Sequence, residues 1–188
     1  MSLIRHLPNL LTGLRLAAAP ATAGLLVAGH FNAAFGIFAA AGLSDAVDGF
    51  LAKRFNMSSR LGSILDPAAD KALMLAGFLT LAFLDDVPAW LAALVIARDA
   101  LIVAGILIAV QLRVAIQVRP LLIGKLCTLI QVSYIGLHLA ALAFEFPLDA
   151  FTPADAYAVA AVTAASFLVY ASVWFEAMRG AQKNASRA

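Results

Sequence analysis

The chain has 188 residues, of which 63% are hydrophobic, and a mean hydropathy of +0.94. A soluble domain of this size is about 45–50% apolar, so the excess excludes an ordinary soluble fold and points to an integral membrane protein. The net charge of +2 excludes nothing, and the single Cys127 excludes an internal disulfide or a cysteine metal cluster.

Six apolar spans are predicted in chain order, at 10–29, 33–52, 62–84, 88–111, 120–145 and 154–177. The first lacks a small-residue cleavage site followed by a loop, so it reads as a span and not as a signal peptide. The runs lack the period-2 alternation of a barrel strand, so the expected fold is all-α, with six transmembrane helices. Lys and Arg fall at the N-terminus (Arg5), in the second connection (Lys53, Arg54, Arg60), around the fourth (Arg113, Arg119, Lys125) and in the tail. The other connections instead carry Asp85, Asp86, Asp149 and, at the next span's mouth, Asp155. This alternation places both termini in the cytoplasm. The expected organisation is one membrane domain over 1–178 and a polar, frayed tail over 179–188.

Between the second and third spans lies the stretch "SDAVDGFLAKRFNMSSRLGSILDPAADK", Ser44 to Lys71. On a helix, Asp45, Asp48, Gly49 and Ala52 occupy roughly a quarter of the circumference. Gly62, Asp66 and Asp70 form an i, i+4, i+8 stripe at the start of the third span. A short connection makes the two helices antiparallel neighbours, with each acidic stripe able to face the other. Four clustered carboxylates below a membrane surface do not stay ionised unaided, so they bind either protons or cations. Hard oxygen ligands with no His or Cys nearby favour Mg²⁺ or Mn²⁺, with Ca²⁺ a further option, and four are enough for two ions. A two-metal site suits phosphorus chemistry, holding attacking and leaving oxygens together. Two other readings stand beside this one. The acids could cap helices and pair with Lys53, Arg54, Arg60 and Lys71, or they could line an ion transporter's pathway. The second fits less well, because they cluster at one membrane face.

The spacing Asp45-x2-Asp48-Gly49-x2-Ala52-Lys53-x8-Gly62-x3-Asp66-x3-Asp70 resembles the signature of the CDP-alcohol phosphatidyltransferases. It departs at Lys53, where that family has arginine. "LPNLLTGLRL" (Leu7–Leu16), "ARD" (Ala97–Asp99) and "GKLCTLIQ" (Gly124–Gln131) are similar to other segments of the family. The resemblance implies a six-helix membrane enzyme, a homodimer, that moves a phosphatidyl group from CDP-diacylglycerol to an alcohol and releases CMP. It implies that Asp45, Asp48, Asp66 and Asp70 ligate two metal ions, with Asp70 also the general base. Gly49, Ala52 and Gly62 then line the nucleotide pocket, and Lys53 approaches the donor phosphates without the bidentate fork of arginine. "ARD" and "VRPLLIGKLCT" look more like the cardiolipin-forming branch, whose acceptor is phosphatidylglycerol, than the branch that uses glycerol-3-phosphate. Either acceptor is anionic.

The remaining candidates carry two readings each. Asn9, Thr12 and Arg15 share one side of the first helix and either touch the nucleotide or donor phosphate, or, for Asn9 and Arg15, cap and snorkel. Pro67 either bends the third helix or sits in its first turn. Arg98 and Asp99, adjacent positions that need not pair, either tether another helix or wall the acceptor pocket. Arg113, Arg119 and Lys125 either anchor the protein at the membrane surface or bind the anionic acceptor. His6, His30 and His138 do not cluster and read as packed or interfacial, and Trp90 and Trp174 read as belt residues at opposite faces. The absence of a targeting extension suits a bacterial cytoplasmic membrane.

Overall fold

The computed structural model describes residues 3–55, 62–112, 122–147 and 151–185, with side chains over 12–44, 68–109, 111–112, 122–147 and 151–179. These residues form six α-helices: α1 (Leu3–Val27), α2 (Phe31–Phe55), α3 (Gly62–Phe83), α4 (Ala89–Gln111), α5 (Leu122–Ala143) and α6 (Pro153–Ala185). No strand occurs among them. Among the residues whose side chains are described, the stretches Ala89–Ala109, Leu122–Ala143 and Pro153–Arg179 are each long and apolar enough to cross a membrane, and the described parts of α1 and α2, Thr12–Val27 and Phe31–Ser44, are apolar too. The tail expected to fray from residue 179 is helical as far as Ala185. Residues 177–185 contain a single glycine among mostly good helix formers, so nothing stops the helix there.

The helices fall into two compact units, 1–87 with 132–150, and 88–131 with 151–188. In the first, α1 packs on both α2 and α3. Its buried face runs Thr12, Arg15, Ala18, Ala19, Thr22, Leu26, a helical stripe with short side chains at its centre that lets neighbouring backbones approach. From α3, Ala69, Leu73, Met74, Phe78 and Leu81 are buried, and Tyr134, Ile135, His138 and Leu139 of α5 complete the core. His138 packs against the Tyr134 ring at 4.6 Å.

In the second unit α4 and α6 run parallel in nearly constant register. Trp90 stacks on Tyr157 at 5.4 Å, Arg98 donates to the Ser166 hydroxyl, and Trp174 Nε1 donates to the Gly105 carbonyl at 3.1 Å. The two hydrogen bonds span sequence separations of 68 and 69. Two helices separated by one intervening helix run the same way in an up-down-up chain.

Candidate functional site

The acidic motif divides between α2 and α3. Asp45, Asp48, Gly49, Ala52 and Lys53 lie in α2, and Gly62 opens α3, followed by Asp66 one turn later. The side chains of all seven lie outside the described residues, as does that of Asn9 in α1. Arg113 and Arg119 fall wholly outside them. Pro67 stands in the second turn of α3 and is therefore not a first-turn proline. A proline there removes one intrahelical hydrogen bond directly after Asp66.

Asp70 is described in full. It lies two turns into α3, next to the buried Ala69, with its side chain 43% exposed. Arg15 Nη1 of α1 donates to its Oδ1 at 3.4 Å, while Arg15 itself is 3% exposed. Such burial excludes snorkelling for Arg15. Thr12, one turn earlier on the same face, is equally buried. Two of the three α1 candidates thus belong to the face that meets α2 and α3, and one of them touches the last acid of the motif.

Among the described residues, no three His, Cys, Asp or Glu side chains come together. Asp70 is the one motif acid whose side chain is among them. The donor set is all carboxylate, which suits a hard divalent cation, and the one described carboxylate is partly exposed. Two helices that each carry a pair of acids and both pack on α1 can bring them to one locus.

In the second unit, Arg98 is 6% exposed and bonds Asp99 Oδ1 at 2.6 Å as well as Ser166, with its guanidinium 5.7 Å from the Tyr170 ring centroid. Adjacent helix positions diverge, yet the long arginine bends back to its neighbour and still reaches α6. The tethering reading of Arg98 therefore has a partner. Lys125 is exposed on the first turn of α5, beside Gly124, whose backbone Tyr170 covers. A cleft of about 350 Å³ in the first unit is lined by residues including Gly29, His30, Asn32, Leu142 and Glu145, and Asp70 is not among the described residues that line it.

Sequence reasoning missed the pairing of Arg15 with Asp70. A lone arginine between Leu14 and Leu16 signalled a buried cation, but nothing in the sequence pointed 55 residues ahead to its partner.

The family model described as CDP-alcohol phosphatidyltransferase matches residues 5–176. A Rattus norvegicus protein named cardiolipin synthase (CMP-forming) is 34% identical over 157 residues, covering 74% of this chain and 52% of the relative. A Mycobacterium tuberculosis protein named "Probable phosphatidylglycerophosphate synthase" is 34% identical over 175 residues, covering 88% of this chain and 77% of that one. A Streptomyces coelicolor protein named cardiolipin synthase (CMP-forming) is 38% identical over 109 residues, or 54% of this chain and 51% of its own. The chain thus spans about half the length of the rat cardiolipin synthase.

Proposed function

Because this chain belongs to the CDP-alcohol phosphatidyltransferase family, we propose that it moves the phosphatidyl group of CDP-diacylglycerol to an anionic glycerol-type acceptor and releases CMP. The favoured acceptor is phosphatidylglycerol, which would make the product cardiolipin. Supporting this are the acceptor-side segments "ARD" and "VRPLLIGKLCT" and the similarity to relatives named cardiolipin synthase. Glycerol-3-phosphate is the second reading, favoured by the longer match to the relative named for phosphatidylglycerophosphate synthesis. The observation that carries the family chemistry is the complete acidic motif divided over α2 and α3, two helices that share α1 as packing partner.

In this reading Asp45, Asp48, Asp66 and Asp70 hold two Mg²⁺ or Mn²⁺ ions. When bound, these ions supply the positive charge that neutralises the donor diphosphate and eases departure of CMP. Gly49, Ala52 and Gly62 leave room for the nucleotide, and Lys53, Asn9 and Thr12 contact it or its phosphates. Asp70 takes the proton of the acceptor hydroxyl as that oxygen bonds to the phosphorus bearing diacylglycerol. The bond from that phosphorus to the CMP oxygen breaks in the same displacement. Arg113, Arg119 and Lys125 provide cations for the acceptor phosphate. All six helices span the membrane, with both termini and the motif on the cytoplasmic side. The enzyme works as a homodimer in a bacterial cytoplasmic membrane. The donor's acyl chains then stay in lipid while CMP exchanges with the cytosol.

Purified protein supplied with mass-labelled CDP-diacylglycerol, and with phosphatidylglycerol and glycerol-3-phosphate in parallel, tests the whole reading. CMP release should need Mg²⁺ or Mn²⁺, stop with EDTA, and resume when metal is restored. Asp70→Asn should lower turnover by on the order of 10²–10⁴-fold, the usual contribution of a general base. Intact CDP-diacylglycerol with every metal and acceptor, or ion flux in liposomes without nucleotide, would overturn it.

A further inference from the structure

We propose that Arg15 is a positioning residue for the transfer, holding the Asp70 carboxylate in the orientation from which it accepts the proton. The inference rests on the reading of Asp70 as the base. Four observations carry it.

First, Arg15 is 3% exposed and lies on the face of α1 that packs on α2 and α3, where a guanidinium needs an anion to offset its desolvation. Second, that anion comes from another helix, 55 residues away, so the pair fixes α1 against α3 at the position of the last motif acid. Third, the two ends are unequal. The cation is buried and the carboxylate is 43% exposed, so Asp70 is gripped from the protein side yet stays accessible to a reactant. Fourth, the contact is 3.4 Å, longer than the roughly 2.7–2.9 Å of a tight charge-assisted hydrogen bond. Arg15 therefore steers the carboxylate from one side without a short, tight contact to it. The guanidinium is planar and permanently charged, and lysine can replace its charge but not its fork.

The test compares Arg15→Gln, Arg15→Lys, Asp70→Asn and the Arg15→Gln/Asp70→Asn double variant, each purified in one detergent. CMP release is normalised to folded protein, and melting is followed separately. Arg15→Gln should lower kcat by on the order of 10²-fold, the effect of misplacing a reacting group by about 1 Å. The KM for CDP-diacylglycerol should stay within about twofold, since lost orientation is not lost donor binding. Arg15→Lys should recover part of the loss. The double variant should be no slower than Asp70→Asn alone, because the two residues act as a unit. In melting, the double variant should sit above the sum of the single losses, because each single change removes one half of the ion pair and keeps the other charge.

Losses in kcat that multiply independently would overturn the inference while leaving the transfer reading intact. A raised KM with unchanged kcat would do the same, placing Arg15 on the donor phosphates instead. A variant that melts lower but keeps full kcat per folded molecule would reduce Arg15 to a tether. Wild-type protein that releases no CMP would remove the transfer reading and the positioning role together, and the melting cycle would then report the pair as structural alone.

Discussion

Gly124 of α5 shows how single residues set the distance between helices. A Cβ built there would lie 2.6 Å from the Tyr170 hydroxyl and 3.1 Å from its Cε2. Gly124→Ala should therefore lower stability by about 1–3 kcal/mol, the usual cost of overpacking, read as a lower melting temperature. Tyr170→Phe in that background should restore part of the loss, because it removes the nearest atom. Ser166→Ala should cost about 1–3 kcal/mol by stranding an Arg98 N–H in a buried site. Arg98 Nε is already buried without a hydrogen-bond partner among the described residues, so the site has little in reserve. At this scale the sequence was half legible. Arg98 stood out as an ionisable group in mid-span, and Asp45, Asp48, Asp66 and Asp70 as a spaced motif. Their partners did not stand out, because Ser166 and Tyr170 depend on the α4–α6 register and Arg15–Asp70 on which helices pack. Neither is encoded in local spacing.

Among the elements, the helix ends are the best-defined feature. α1, α3 and α5 each close with a residue in the left-handed region: Gly29 (φ 76°), Asp85 (φ 62°) and Glu145 (φ 54°). In each case the following amide reaches back across the last turn, His30 to Leu25, Asp86 to Leu81 and Phe146 to Ala141. This is the Schellman closure, which satisfies carbonyls that a helix otherwise leaves open. Glycine takes that conformation freely, whereas glutamate is strained, so Glu145→Gly should raise stability by about 1 kcal/mol in a melting assay. The start of α6 is capped by its own Asp155. Pro153 occupies the first turn, and Asp155 Oδ2 accepts from the Thr152 amide at 2.8 Å and its hydroxyl at 3.1 Å. Asp155→Ala should cost about 1 kcal/mol. Hydropathy located all six helices but marked their ends by where apolarity stops, at 33–52 for α2 and 154–177 for α6. The helices continue into polar flanks, to Phe31–Phe55 and Pro153–Ala185, because caps and propensity end a helix, and apolarity does not.

For the molecule as a whole, one charged connection makes stability depend on pH. Asp86, in the turn between α3 and α4, has its carboxyl pushed above its ordinary value of 3.8, first by burial and then by the neighbouring Asp85. The folded chain therefore holds this proton more tightly than the unfolded chain, and stability falls as pH rises from the unfolded value through the folded one. The penalty is fully present at neutral pH and absent in acid. Asp86→Asn should raise the melting temperature at pH 7 and leave it unchanged below the ordinary carboxylate value. A gain that persists unchanged into acid would assign the effect to something other than ionisation.

The buried arginine of α1 also bears on how the protein is made. Its counter-ion is encoded 55 residues downstream, which at about 5–20 residues per second corresponds to roughly 3–11 s of ribosomal elongation. Throughout that interval the nascent first helix lacks this carboxylate. Any burial of α1 away from water before α3 is made would therefore desolvate the guanidinium without its Asp70 partner, a cost that the finished pair offsets.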